Sequence, residues 1–487
     1  MLNFQDKQMQ SQNIRPFFYF LIALFLIITS QALFADTMFV DGLIYATIAK
    51  NLAEGKGTFW NLHFTNTFMS EFHEHPPLAM GLESIYFKLF GASRFVEKFY
   101  SLTSCLLVVF GIMKLWIQLG FQKSTRWSPI LFWMFIPVIF WSCNNNLLEN
   151  TLVIFTTFSV YFALKSTTKK PYYYLILAGL MLSFGFLTKG FVAFFPLSYF
   201  FFSWLFERKY SFIKMVKHTL LFFIFSIVPL AIIWFISPEA KLSLLNYFQI
   251  QVVKSLETIV TVESRFFIVK RMFSEMILPI VIALIFYFSY FKKRVELRLT
   301  KEQRAISFTF LALGLSAVLP IMVSMKQSGF YILTAYPFFA IAVANFVSPQ
   351  LTAFTNRLTL TEKVSKRFRN VSLGFLVIGI AFAFLSTSKF GKDEVKVKDM
   401  RVIFKQLPKN STISICPAMN EDWALHSYYQ RYKSVSLDYD FHNKHPYLLI
   451  RPSECTDFQI PSEYKEVKLK TIEYKLYKSI KAQYKQY

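Results

Sequence analysis

Residues 16–34 read PFFYFLIALFLIITSQALF, an apolar run without a single charged side chain. At 1.5 Å of rise per residue, a helix of this length covers the ~30 Å hydrocarbon core of a bilayer. No small-residue cleavage site marks its end, so it reads as a retained first span rather than a secretory signal. Runs of the same kind recur near 95–117, 128–142, 147–164, 172–188, 190–206, 218–237, 272–291, 305–324, 330–347 and 371–388. The chain is therefore expected to be a polytopic α-helical membrane protein of about eleven spans. Two pairs, 128–142 with 147–164 and 172–188 with 190–206, leave room for only the tightest hairpins.

Composition agrees. Of the 487 residues 54% are hydrophobic and only 17% charged, too little charge for a soluble globular chain of this size. The 59 Phe, 25 Tyr and 8 Trp exclude disorder. Their abundance suits interfacial belts and a cavity for an acyl or isoprenoid chain, though ordinary lipid-facing Phe accounts for most of it. The net charge of +24 does not point to nucleic acid, because the basic residues punctuate apolar runs instead of forming one patch.

Those basic residues give the orientation. Lys7 and Arg15, Lys123 and Arg126, Lys165, Lys169 and Lys170, Arg208 to Lys217, Lys292 to Arg304, and Arg357 to Arg369 all fall in alternate connections. By the positive-inside rule these face the cytoplasm. The other connections are expected outside, including two long ones, 35–94 and 238–271. The first carries two amphipathic surface helices. One runs from Asp41 to Glu54 and stops at Gly55; the other starts at Pro76-Pro77 and stops at Gly91. Residues 1–390 thus form a membrane domain. Residues 391–487 change character: they are polar and Lys-rich, with short β-prone runs and a helical stretch near 422–432. They read as a small extracytoplasmic α/β domain. Four Cys occur. Cys105 and Cys143 read as small packing residues in apolar segments. Cys416 and Cys455 are free to pair if their domain faces an oxidising compartment.

Ionisable groups at membrane depth are costly, and here they fall at one face. Asp41, Glu74, His75, Glu149, Lys189, Arg265, Lys326 and Gln327 all sit at the non-cytoplasmic ends of spans. Asp41 and Glu74 are candidates for a general base toward a hydroxyl, against the plainer roles of helix N-cap and solvated loop acid. Glu149 heads an apolar span, where a carboxylate without a partner is expensive. Lys189 lies between two apolar segments on the wrong side for a solvated positive-inside charge. It needs an acid of this chain or an anionic ligand such as a headgroup phosphate. Lys326 repeats that situation, and Arg265 offers a bidentate phosphate contact. The stretch His63, Glu71, His73, Glu74, His75 has ligand types for a divalent metal but the spacing of no particular metal motif, so metal binding is the minority reading.

Asp41-Gly-Leu-Ile-Tyr-Ala-Thr-Ile-Ala-Lys-Asn-Leu52, Glu74-His-Pro-Pro-Leu78, Phe90-Gly-Ala-Ser-Arg94, Phe186-Leu-Thr-Lys-Gly-Phe-Val192 and Tyr331-Ile-Leu-Thr-Ala-Tyr-Pro337 together resemble the GT-C membrane glycosyltransferases. The branch is that of aminoarabinose (lipid A) transferases and protein O-mannosyltransferases. The resemblance implies transfer of a sugar from a polyprenyl-phosphate donor to a lipid, glycan or protein acceptor, in lipopolysaccharide or protein glycosylation at the periplasmic face of a bacterial inner membrane. It implies Asp41 and Glu74 as catalytic residues. His75, Lys189, Arg265 and Lys326 would hold the donor phosphate, and Glu149, Gln327 and Tyr331 would line the site. An inverting displacement is expected, with no certain cofactor. Two positions depart from the family's pattern: His75 stands where Lys is usual, and Gly42 where many relatives carry Glu. The competing classes are a polyprenyl-linked glycan flippase, an O-antigen ligase and a non-catalytic assembly protein. A flippase would place charges near the midplane in matching halves, which this chain does not show.

Overall fold

The computed structural model describes residues 14–168, 170–253, 260–290, 297–387 and 391–480. Lys7, Lys169, Lys254, Lys292, Lys293 and Arg294 lie outside the described residues, as does part of the 238–271 loop. All eleven apolar segments lie largely in helices, in order α1 (Arg15–Phe34), α2 (Val40–Ala53), α3 (Leu78–Phe90), α4 (Val96–Gln118), α5 (Ser128–Met134), α6 (Pro137–Cys143), α7 (Leu148–Ser166), α8 (Pro171–Lys189), α9 (Tyr199–Glu207), α10 (Phe212–Ile236), α11 (Pro238–Tyr247), α12 (Phe267–Ser289), α13 (Lys301–Val318), α14 (Tyr336–Phe346), α15 (Ser348–Thr359) and α16 (Glu362–Leu385).

Among the described residues, seven helices are long and apolar enough to cross a membrane, or nine if each of two bent pairs counts as one. The difference from eleven has three physical sources. The pairs around Pro137 and Pro349 bend by 85° and 73°, since Pro suits a helix start and not its interior. Helix α7 carries Glu149, Asn150, Thr151, Thr156, Thr157 and Ser159, which make it less apolar than its neighbours. Finally, residues 171–207 form one continuous helical stretch, 3₁₀ over Gly190–Ser198, rather than two helices with a loop. That stretch nevertheless reverses. Thr167 and Thr168, just before its start, and Glu207 at its end line one cavity, while Lys189 at its middle pairs with Glu149 at the far end of α7. Gly190 makes the turn at φ +74°, where a Cβ would overlap the Tyr247 hydroxyl.

The basic connections gather at the end opposite Lys189, where Gln118, Lys209 and Lys214, then Gly120, Arg298 and Asn356, line neighbouring cavities. The membrane core is continuous. Helix α16 packs along α1, α13 along α14, and Phe17 stacks on Trp127 at 4.4 Å. Buried Glu275 of α12 accepts from the Val138 N–H at 2.8 Å, satisfying an orphan donor at the start of α6, and is itself paired with Arg271 at 2.5 Å. Cys105 and Cys143 are not merely packing residues: they form a disulfide joining α4 to α6. Composition gave no warning of this, because both are buried among apolar side chains.

Beyond α16, helix α17 (Glu394–Ile403) precedes a five-stranded sheet with helix α18 (Trp423–Lys433). The strands are β1 (Thr412–Ile415), β2 (Ser436–Asp438), β3 (Tyr447–Ile450), β4 (Tyr464–Val467) and β5 (Lys475–Ser479), in the order β2-β1-β3-β5-β4. The β2-β1-β3 half is parallel and the β3-β5-β4 half antiparallel. Cys416 and Cys455 form a second disulfide. Helix α18 docks on α2. Arg431, fully buried, pairs with Glu97 at 2.7 Å and donates to the carbonyls of Ala92 and Ser93. Lys50 donates to Ser434, and Thr67 to the Leu437 carbonyl.

Candidate active site

Helix α2 begins one residue before Asp41, and its N-cap is Phe39, so Asp41 is a first-turn acid and not the cap. Asn145 fixes this end: its Oδ1 accepts from the Phe39 N–H at 2.8 Å. Gly42 lies so close to the Asn145 carbonyl that any Cβ would overlap it, which accounts for the glycine at this position. Tyr45, one turn on, shares the face of Asp41. Glu74 and His75 come from the segment leading into α3, whose N-cap is Pro77.

These groups line a cavity of about 590 Å³ together with Lys326, Tyr331, Gln251 and, from the C-terminal domain, Glu421, Asp422 and Trp423. Among the described residues neither Asp41 nor Glu74 makes a hydrogen bond or ion pair. Burial, reinforced by the Glu149 charge, raises the Asp41 pKa to about 6, with Lys189 and Lys326 opposing. Burial also raises Glu74. Burial and the two lysines push His75 well below its ordinary value, so it stands neutral at pH 7 and offers a hydrogen bond rather than a charge. Lys326 donates to Gln251 Oε1 at 2.9 Å, and burial lowers its pKa.

Half-buried Lys189 and buried Glu149, the two charges that lacked partners in the sequence, are each other's partner. The Lys189 ammonium also lies 4.6 Å from the centre of the Tyr331 ring. The pair sits behind the cavity wall formed by Tyr331. Two expected site residues stand apart. Arg265 is exposed and does not line the cavity; its carbonyl accepts from Gln327. Gln327 is buried and fastens two loops, accepting from the Ile268 N–H at 2.9 Å and donating to the Arg265 and Ser324 carbonyls. It is a staple and not a lining group. Among the described residues no three His, Cys, Asp or Glu lie close enough to hold a metal ion. His63 bonds the Ser70 carbonyl and His73 pairs with Glu71, leaving only Glu74 and His75 of that stretch on the cavity.

Sequence reasoning missed Tyr45, Gln251 and the contribution of the C-terminal domain. Tyr45 had a signal, its helical spacing from Asp41. Trp423 had none, since nothing local ties residue 423 to residue 41.

The sequence profile of the family described as dolichyl-phosphate-mannose-protein mannosyltransferase matches residues 74–234. No curated protein matches the sequence. Among solved structures, the fold is similar to that of ArnT from Cupriavidus metallidurans bound to undecaprenyl phosphate, with TM-score 0.65 and 14% identity, covering 94% of this chain and 97% of that one. The apo form of the same protein gives 0.64. AglB from Archaeoglobus fulgidus, in complex with an inhibitory peptide and a dolichol-phosphate, gives a lower TM-score of 0.45 at 12% identity, covering 88% of this chain and 69% of that one. The matched segment is less than half of the chain and the likeness to ArnT is one of fold: the chain is a multi-pass helical membrane protein with an ArnT-like fold.

Proposed function

We propose that the chain transfers a sugar from a polyprenyl-phosphate donor to a hydroxyl-bearing acceptor, at the non-cytoplasmic face of a bacterial inner membrane. One observation carries the reading: two partly buried carboxylates, Asp41 and Glu74, unpartnered among the described residues, share a cavity with the Lys326 ammonium. The Asp41 pKa near 6 suits a general base working near neutral pH. The acceptor oxygen attacks the anomeric carbon as Asp41 takes its proton. The bond from that carbon to the phosphate oxygen breaks, and the polyprenyl phosphate leaves with the electron pair. The transition state is oxocarbenium-like and the course inverting. Lys326 stabilises the charge growing on the leaving phosphate, with Lys189 contributing through Tyr331 and neutral His75 donating a hydrogen bond. Glu74 orients the acceptor or sugar hydroxyls. Glu421, Asp422 and Trp423 form the wall on the acceptor's side.

The ArnT structure with undecaprenyl phosphate supports a lipid-linked donor. The gathering of basic connections at the opposite end supports the orientation. Membranes carrying the Asp41→Ala variant, supplied with polyprenyl-phosphate sugar, should lose transfer. Transfer retained at the parent rate removes the base assignment. Mass spectrometry of envelope lipids and glycans from a deletion strain should reveal one missing sugar, identifying donor and acceptor together.

A further inference from the structure

At the end of the bundle opposite the candidate active site, a second cavity of about 530 Å³ opens between the starts of α8 and α10. Lys170, Lys214 and Lys217 line it, and no acid among the described residues does. Among the described residues, the Lys170 and Lys214 side chains have no ion-pair partner; Lys217 reaches only the Tyr172 hydroxyl, at 3.3 Å. Both helices direct their N-terminal ends here, adding two positive dipole ends to three ammonium groups. Excess positive potential with no acid among the described wall residues calls for an anion.

Two further features narrow its chemistry. His218 lines the same cavity and is 8% exposed. Its Nδ1 lies 2.8 Å from the Lys214 carbonyl and therefore carries the proton, leaving Nε2 as a buried acceptor without a partner among the described residues. A hydroxyl donor would satisfy it. The cavity is also edged by exposed apolar surface. Ile213 is 79% exposed and Tyr172 54%, on helices whose continuation faces the bilayer. A free inorganic anion has no use for such an edge, whereas acyl chains do.

We propose that this cavity binds the headgroup of an anionic phospholipid bearing a free hydroxyl, of the phosphatidylglycerol class. The phosphodiester lies among Lys170, Lys214 and Lys217, the headgroup hydroxyl reaches His218, and the acyl chains run along Ile213 and Tyr172. The site is separate from the donor site and does not depend on the proposed transfer reaction.

Native mass spectrometry of the purified full chain, exchanged into mixed micelles of phosphatidylglycerol and phosphatidylcholine, tests it. The parent protein should retain phosphatidylglycerol selectively. Neutralising Lys170, Lys214 and Lys217 to Gln should weaken retention on the order of five-fold per lysine. A control variant neutralising Lys363 and Lys366, basic residues elsewhere on the chain, should retain as the parent does. His218→Phe should narrow the preference for phosphatidylglycerol over phosphatidic acid, which lacks the headgroup hydroxyl. The lysines are at the surface, and an unchanged melting temperature in lipid-free detergent will show that the variants fold. Equal retention of phosphatidylcholine, undiminished retention by the triple variant, or an equal loss in the Lys363/Lys366 control overturns the proposal. Displacement of the lipid by millimolar inorganic phosphate identifies a free-anion site and overturns it as well.

Discussion

The cavity wall and the seam between the two domains both hold acids and bases, yet they treat them in opposite ways. At the seam the charges meet counter-charges. Arg431 meets Glu97 and two carbonyls, Asp36 is held by Arg94 and Arg401, and Lys50 has Glu54 and Ser434. Among the described residues, Asp41 and Glu74 in the cavity have no hydrogen-bond or ion-pair partner, and burial raises their pKa values. A buried pair is quiet because each member has spent its electrostatic potential on the other. A carboxylate left half-buried and unanswered keeps that potential for something that arrives later.

The comparison is broken most severely by removing the free acid. Asp41→Asn should lower turnover on the order of 10²–10⁴-fold in a membrane transfer assay while leaving donor binding nearly unchanged. At the seam, Arg431→Met should cost about 3–5 kcal/mol in thermal or chemical unfolding, since Glu97 is stranded without its cation. The double variant with Glu97→Gln should recover a large part of that loss. If both single variants and the double lose the same amount, the pair is not coupled. Lys326→Gln should weaken donor binding by roughly ten-fold or more, by loss of a charge-assisted contact, measured by titration with polyprenyl phosphate.

Acidity sharpens the contrast. Asp41 must be ionised to accept a proton, so kcat/KM should fall as pH drops through about 6. Its stability effect runs the other way. A carboxyl whose folded pKa lies above its unfolded value takes up protons on folding, so its contribution to stability shrinks as pH rises from about 4 to 6. Asp41→Asn should therefore melt higher than the parent at pH 7.5 and alike at pH 4, compared by scanning calorimetry. The smallest effect is expected at the far wall: Trp423→Ala should raise the acceptor KM a few-fold with donor binding unchanged.

How much of this was written locally in the chain differs by interaction. The apolar runs and the two loop helices were legible because burial in lipid and helical periodicity act over one element at a time. Asp41, Glu74 and Lys326 were legible because charge at membrane depth is conspicuous. Even the unease of Glu149 and Lys189 could be read, but not that each resolves the other, since pairing depends on which helices become neighbours. Arg265 and Gln327 were misplaced for the same reason: their sequence positions put them at the right depth, and packing then assigned one to the surface and the other to a loop staple. The Cys105–Cys143 bond and the Arg431–Glu97 pair join residues with nothing in their surroundings to announce a partner.

Residues 421–424 are synthesised after the segments that carry the other walls of the cavity. Until that segment folds and docks, the cavity stands without one of its sides. On the proposed function, a chain lacking that segment would hold its lipid-linked donor in a vessel open to water, where the sugar is exposed to hydrolysis. Assembly order thus becomes a safeguard: the cavity is closed by a part made after its other walls.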